Sequence, residues 1–242
     1  MGTLGILILA SAAFATSTVS AILGMAGGIS LLAIMTLLMP PATIIPVHGA
    51  VQLVSNLTRT FAFRKHVHWP IFARFAVPAV LGVCFSTWTW SGDKLEWFKP
   101  IIGVFILVFL FWRHRKPKLR NLPMWIYAPL GLAAGFLAIW VGATGPFLAP
   151  FFLRDDFPKE RVIATKALTQ SWLHFLKLPA FLSLGFNYRG EAELLAVLLV
   201  CVVAGTYFGK RLLGKIEEAA FVFYFEMVLG CIGLFLIAGP FL

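Results

Sequence analysis

Apolar blocks separated by short polar or glycine-rich breaks organise the whole chain. They run over Leu4–Leu23, Ile29–Met39, Ile44–Phe63, Ile71–Trp90, Phe98–Trp112, Met124–Val141, Pro146–Leu153, Val162–Leu184, Ala192–Phe208 and Ala219–Leu242. The blocks are unbroken, whereas membrane barrel strands alternate apolar and polar with period two. They therefore predict helices. A helix needs about 20 apolar residues to span a bilayer. Ile29–Met39 and Pro146–Leu153 are too short, and each follows a glycine-rich break, Gly24–Gly28 and Gly142–Pro146.

The two breaks lie 118 residues apart, and the same offset pairs Gly24 with Gly142, Gly27 with Gly145, Pro40 with Pro158, Gln52 with Gln170 and Arg59 with Lys177. The chain reads as two related halves, 1–120 and 121–242, joined by the basic linker Arg113–Asn121. Interrupted segments at corresponding positions of two halves point to a secondary transporter. The predicted fold is an all-α polytopic membrane bundle of two repeats. Each repeat is a broken, re-entrant helical hairpin followed by three transmembrane helices, about eight spans in the usual count. Charge orients the halves. With re-entrant hairpins, fourteen Lys and Arg fall on the inner side and three on the outer; with full crossings the split is nine to eight. The positive-inside rule favours re-entry, and hence an inverted second half. Against this stands Leu4–Leu23, long enough to span by itself.

Composition agrees with a membrane setting. Hydrophobic residues make up 60% of the 242 positions and charged ones 12%, with a mean hydropathy of +0.90. Soluble domains average about a quarter charged residues. The net charge of +10 sits mostly between the blocks, where cytoplasmic-side charge belongs. Membrane lipid is therefore an expected partner, and nucleic acid is not. Cys84, Cys201 and Cys231 lie inside apolar blocks without metal-ligand spacing and read as buried free thiols; no metal or cofactor is expected. Met1–Ala21 lacks the basic start of a signal peptide and reads as a retained membrane segment. Trp69, Trp88, Trp90, Trp97 and Trp125 fall at block ends, as interfacial anchors do.

The candidate chemistry lies in two polar stripes. His48, Gln52, Asn56 and Arg59 are spaced four, four and three apart inside the third block, which places them on one helix face. Lys166, Gln170, His174 and Lys177 repeat that spacing 118 residues on. A polar stripe in lipid is costly unless it faces protein or water. The two stripes are therefore expected to face each other across a cavity. They hold cations, amides and histidines and no acid, a set that suits an anion. The short blocks add half-helix N-termini at Gly27, Gly28 and Gly145. Their first N–H groups, about Gly28–Leu31 and Phe147–Ala149, lack intrahelical partners and carry partial positive charge. Each residue also has a plainer reading. Arg59, Lys166 and Lys177 snorkel to the interface; the glutamines join helices; the histidines are core residues. Glu226, the deepest acid, is either a proton-coupling carboxylate or the neutraliser of a buried cation.

A break such as Gly24-Met-Ala-Gly-Gly28, a proline-containing loop and a polar-striped helix, occurring once per half, resemble the sulfite exporter TauE/SafE family, also called the toluene-sulfonate uptake permease family. The resemblance covers essentially the whole chain; Thr144 and Pro146 depart from the usual glycine run. It implies transport of sulfite, sulfoacetate or other organosulfonates across the bacterial inner membrane. The stripes by themselves imply an anion. The expectation is a secondary transporter working by alternating access. Membrane potential or protons would drive it, since no GxxxxGK[ST] motif occurs. Its partner is a small anionic substrate, and a homodimer is compatible with the reading. Another small anion or a metal ion is the alternative cargo, although no acidic or thiolate cluster supports a metal. A membrane enzyme is not expected: Ser171 and His174 lie on one helix, but no acid partner, HExxH or GxSxG accompanies them. An assembly subunit would leave the matched stripes unexplained.

Overall fold

Lipid offers no partner to a backbone N–H, so each apolar block must bond within itself and becomes a helix. The computed structural model describes residues 2–23, 26–90, 98–115, 122–152, 154, 156–212, 227 and 230–238. Every element among the described residues is helical. In chain order these are α1 (Thr3–Leu23), α2 (Gly27–Leu38), α3 (Pro41–Ala62), α4 (Trp69–Trp88), α5 (Phe98–His114), α6 (Tyr127–Trp140), α7 (Gly145–Phe152), α8 (Lys159–Ser183) and α9 (Ala192–Leu212). Residues 230–238 are also helical. Of the positions singled out above, Gly24, Met25, Trp97, most of the linker and Glu226 lie outside the described residues.

Among the described residues, three stretches are long and apolar enough to cross a membrane: Thr3–Ile22, Trp69–Trp88 and Tyr188–Leu212. By contrast α2, with 12 residues, and α7, with 8, reach only about 18 and 12 Å at 1.5 Å per residue. Neither covers a bilayer core of about 30 Å. The polar-striped helices α3 and α8 begin three residues before their apolar blocks, at Pro41 and Lys159. Pro40 and Pro158 explain this. A proline biases the residue before it toward extended backbone, and Met39 is extended (ψ 151°). Each proline is itself extended and caps the helix that follows.

Glycines decide which helices touch. On α6, a β-carbon at Gly131 or Gly135 would lie 2.3 Å from the carbonyl oxygen of Phe75 or Ala79 on α4. On α9, a β-carbon at Gly205 or Gly209 would lie 2.3 or 2.5 Å from the carbonyl oxygen of Phe14 or Thr18 on α1. Each pair is a Gly-xxx-Gly motif, the small-residue seam that lets membrane helices approach backbone to backbone. The contacts rise together along both chains, so α4 runs parallel to α6, and α1 parallel to α9. α3 and α8 instead run antiparallel. The His48 and His174 rings meet mid-helix, 5.8 Å apart, and Phe63 packs on Ile163 and Ala164 at the far end.

The interrupted segments fold back. Tyr127, which opens α6, donates its hydroxyl to the carbonyl of Phe151 near the end of α7, 2.9 Å away, and Arg154 reaches the carbonyl of Leu122 at 3.1 Å. The α6–α7 unit therefore starts and ends on one side of the bundle. α2 begins against the middle of α1: a β-carbon at Gly27 would fall 2.0 Å from the carbonyl oxygen of Thr16.

Two expectations change. Cys84 and Cys231 are exposed on the bundle surface and Cys201 is half-buried; a thiol is apolar enough to face lipid, so an apolar block does not place it inside. Trp90 does not point outward as Trp69, Trp88 and Trp125 do. It turns in against Trp140, ring centroids 5.0 Å apart.

Candidate functional site

The stripes on α3 and α8 face one another because each pairs with a broken helix of its own half. The side chain of Gln52 lies over Gly28, where a β-carbon would come within 3.3 Å of its Oε1. The side chain of Gln170 lies over Gly145, where a β-carbon would come within 2.9 Å of its Nε2. A β-carbon at Gly28 would crowd the Gln52 amide, and one at Gly145 would make the Gln170 amide shift. Between the two breaks is a cavity lined by Gly28, His48, Gln52, Asn56 and Arg59 from the first half. Gly145, Lys166, Gln170 and His174 line it from the second. These are nine of the eleven positions that the stripe and break pattern predicts for a substrate site. Gly27 sits one residue behind the wall, packed on α1. Lys177 also stands outside it: its ammonium donates to the carbonyl of Gly142, and its stem lies along Gly49.

The three cations do not snorkel. Arg59, Lys166 and Lys177 are 2%, 1% and 0% exposed, so they meet neither lipid nor bulk water. No carboxylate lines the cavity among the described residues, and no cluster of three metal-ligating side chains exists among them. Several polar atoms here have no protein partner: Nε of Arg59, Nδ1 of His48 and His174, and Oδ1 of Asn56. His48 bonds the carbonyl of Gly28 through Nε2 at 2.8 Å. A carbonyl only accepts, so Nε2 carries the proton. Asn56 spends a donor on the carbonyl of Gln52, 2.8 Å away.

The half-helix ends fall slightly earlier than the spacing predicts. The N–H of Ser30 already bonds the carbonyl of Ala26, and that of Leu148 bonds Thr144. The N–H groups without an intrahelical partner are therefore those of Gly27, Gly28 and Ile29 at α2, and of Gly145 and Phe147 at α7. The helices start sooner because their glycines join the first turn. Pro146 brings no N–H, so α7 offers fewer donors than α2. The cavity volume is about 10 Å³, the room of about one water.

The family description of the sulfite exporter TauE/SafE matches residues 9–236. The chain belongs to the sulfite exporter TauE/SafE family. That family is one of membrane transporters, and the match takes in both breaks and both polar stripes. No curated protein and no solved structure matches the chain.

In this family member a second, larger cavity of about 240 Å³ opens at the N-terminal end of α3 and the C-terminal end of α8, lined by Pro41, Ala42, Ile45, Pro46, Trp90 and Phe181, and by Leu184–Phe186. Its wall ends at Pro46 on α3 and Phe181 on α8; the small cavity begins at His48 and His174. Lys177 stands in the layer between, tied to Gly142, whose φ of +81° favours glycine. The opposite end of the α3–α8 seam is shut by Phe63, Ile163 and Ala164. Beyond it, in the loop between α7 and α8, Arg154 grips Asp156 with Nε and Nη2 at 2.8 and 2.7 Å. That guanidinium holds the Asp156 carboxyl below its usual range.

Residue spacing missed two side chains near the site, Ser20 and Ser55. Ser20 on α1 lines the small cavity. Ser55 accepts from Arg59 Nη2 at 3.2 Å. Trp172, on the striped helix, donates to the carbonyl of Ala76 at 2.9 Å and so belongs to packing. Ser55 was within reach of a pattern argument, because it precedes Arg59 by one helical turn.

Proposed function

We propose that the chain is a secondary transporter that moves small sulfur-containing oxyanions, sulfite or organosulfonates, across the bacterial inner membrane. One observation carries the reading. Arg59 and the N-terminal ends of α2 and α7 converge on one buried cavity, also lined by Lys166, without a carboxylate among its described lining. Arg59 is buried with its Nε unpartnered in the protein; a buried cation persists where an anion answers it, and helix N-termini add partial positive charge. Gln52 and Gln170 supply amide groups that orient oxyanion oxygens. Among the described residues, no acidic or thiolate side chain of the kind a metal cargo would require lines it.

We further propose that the two halves are inverted repeats that rock about the α3–α8 seam. The pairing pattern supports this. A repeat that matches α1 with α6, α3 with α8 and α4 with α9 turns the α1–α9 contact into the α6–α4 contact. Both are parallel glycine seams. It also requires the matched helices α3 and α8 to oppose each other, as they do. With the basic loops around Arg64 and Arg161 in the cytoplasm, the larger cavity faces outward and the apolar plug of Phe63 faces inward. An anion entering from the larger cavity meets Lys177 first, then His48 and Gln52. Tilting one repeat would open the Phe63 end.

The test is a thermal shift of the purified protein with sulfite, sulfoacetate and taurine, followed by flux in proteoliposomes under imposed pH and voltage gradients. The reading expects stabilisation by sulfite or sulfoacetate and flux of the same ion. Stabilisation by no anion would sink it.

A further inference from the structure

We infer that Ser55 is a positioning residue for Arg59, acting through a hydroxyl relay anchored on α1 and α9. The inference rests on the anion reading of the small cavity. Ser55 Oγ lies 2.8 Å from Ser17 Oγ on α1. Ser17 Oγ lies 2.8 Å from Thr206 Oγ1 and 2.9 Å from the carbonyl oxygen of Val202, both on α9. Counting protons gives the direction of every bond. The carbonyl can only accept, so the one proton of Ser17 goes to Val202. Ser55 and Thr206 must then both donate to Ser17. With its own proton committed, Ser55 offers only lone pairs to Arg59 Nη2, 3.2 Å away.

The relay therefore runs one way, from a cation on α3 to the backbone of α9. All four side chains are buried, between 0% and 3% exposed. A hydrogen bond to a charged group in such surroundings is among the stronger kinds. Its effect is geometric: one nitrogen of the guanidinium is pinned, and the unpartnered Nε is turned with it. The relay also ties the site to the α1–α9 glycine seam, in which the Thr18 hydroxyl is shared between the carbonyls of Phe14 at 2.9 Å and Gly205 at 3.1 Å. Among the described residues, the second half shows no such device. The position matching Ser55 is Leu173, and Lys177 is tied to Gly142 instead.

The experiment compares wild type, Ser55→Ala, Ser55→Thr, Thr206→Val and Arg59→Gln in proteoliposomes. KM and kcat for sulfite are read separately, with folded yield and melting temperature alongside. Ser55→Ala should raise KM about tenfold, the loss of one charged hydrogen bond, with melting nearly unchanged. Ser55→Thr, which keeps the hydroxyl, should restore KM. Thr206→Val should raise KM by a smaller factor, since Ser17 then loses one donor. In an Arg59→Gln background, Ser55→Ala should add little. An unchanged KM in Ser55→Ala, with Arg59→Gln inactive, would overturn the relay and leave the anion site standing. A fully active Arg59→Gln would overturn the anion reading itself.

Discussion

Two kinds of helix contact hold this bundle, and they differ in what lies between the helices. Between α1 and α9, and between α4 and α6, glycines bring backbone against backbone. Between α3 and α8 lie amides, histidines and cations around a small cavity. A glycine seam has one close-packed arrangement, and packed interfaces do not deform continuously. A polar seam has alternative hydrogen bonds to offer. On the proposed transport reading, the contrast assigns rigidity to the outer pairs and rearrangement to the central one.

The largest effect should come from the glycine seams. Gly135→Leu or Gly205→Leu places side-chain atoms where a carbonyl oxygen already stands 2.3 Å from the first carbon. Loss of monodisperse protein in size-exclusion chromatography is expected. Gly190→Ala, with nothing within 4 Å of its added carbon, should leave the yield unchanged. A normal elution profile for Gly135→Leu would break the comparison at its rigid end.

Next comes the polar seam. Arg59→Gln should cut sulfite flux about a hundredfold or more, as removal of a buried charge facing a charged partner costs about 2–5 kcal/mol. The folded yield should stay near wild type, opposite to the glycine variants. Flux measured in proteoliposomes at equal protein loading checks this. Gln52→Ala and Gln170→Ala should each raise KM by about threefold to tenfold, the usual range for one hydrogen bond. Unequal values would show that the two half-sites contribute unequally.

The smallest effect lies outside both seams. Asp156→Asn should lower stability by at most about 1 kcal/mol, since the ion pair is screened by solvent. The folded carboxyl is held low by Arg154. Its contribution is therefore present above the unfolded value near 3.8 and is lost as pH falls through the lowered folded value. Melting curves of wild type and Asp156→Asn should converge in acid.

Much of this could be read from residue order. The apolar blocks became helices because length and hydropathy leave lipid few alternatives. The stripes met because a polar face in lipid must be covered, and their matched spacing named the cover. Other features needed the third dimension. Lys177 shares the spacing of the stripe, yet its ammonium ends on Gly142, 35 positions away in the chain. The Gly-xxx-Gly pairs stand in plain view at 131–135 and 205–209, but spacing does not say which helix lies opposite. Ser17 and Thr206 are 189 positions apart, and no periodicity joins them. Trp90 shows the same limit, since a tryptophan at a block end serves equally as an anchor outside or a lid within.

The narrowness of the central cavity has a kinetic meaning. On the proposed anion reading, a space of about 10 Å³ admits no oxyanion as it stands, so every arrival would wait for the walls to part. Association would then run at the pace of a conformational step, slower than docking onto a ready surface. A bound ion would leave by the same slow door. Discrimination between anions is therefore expected in how long each one stays, more than in how fast each one comes.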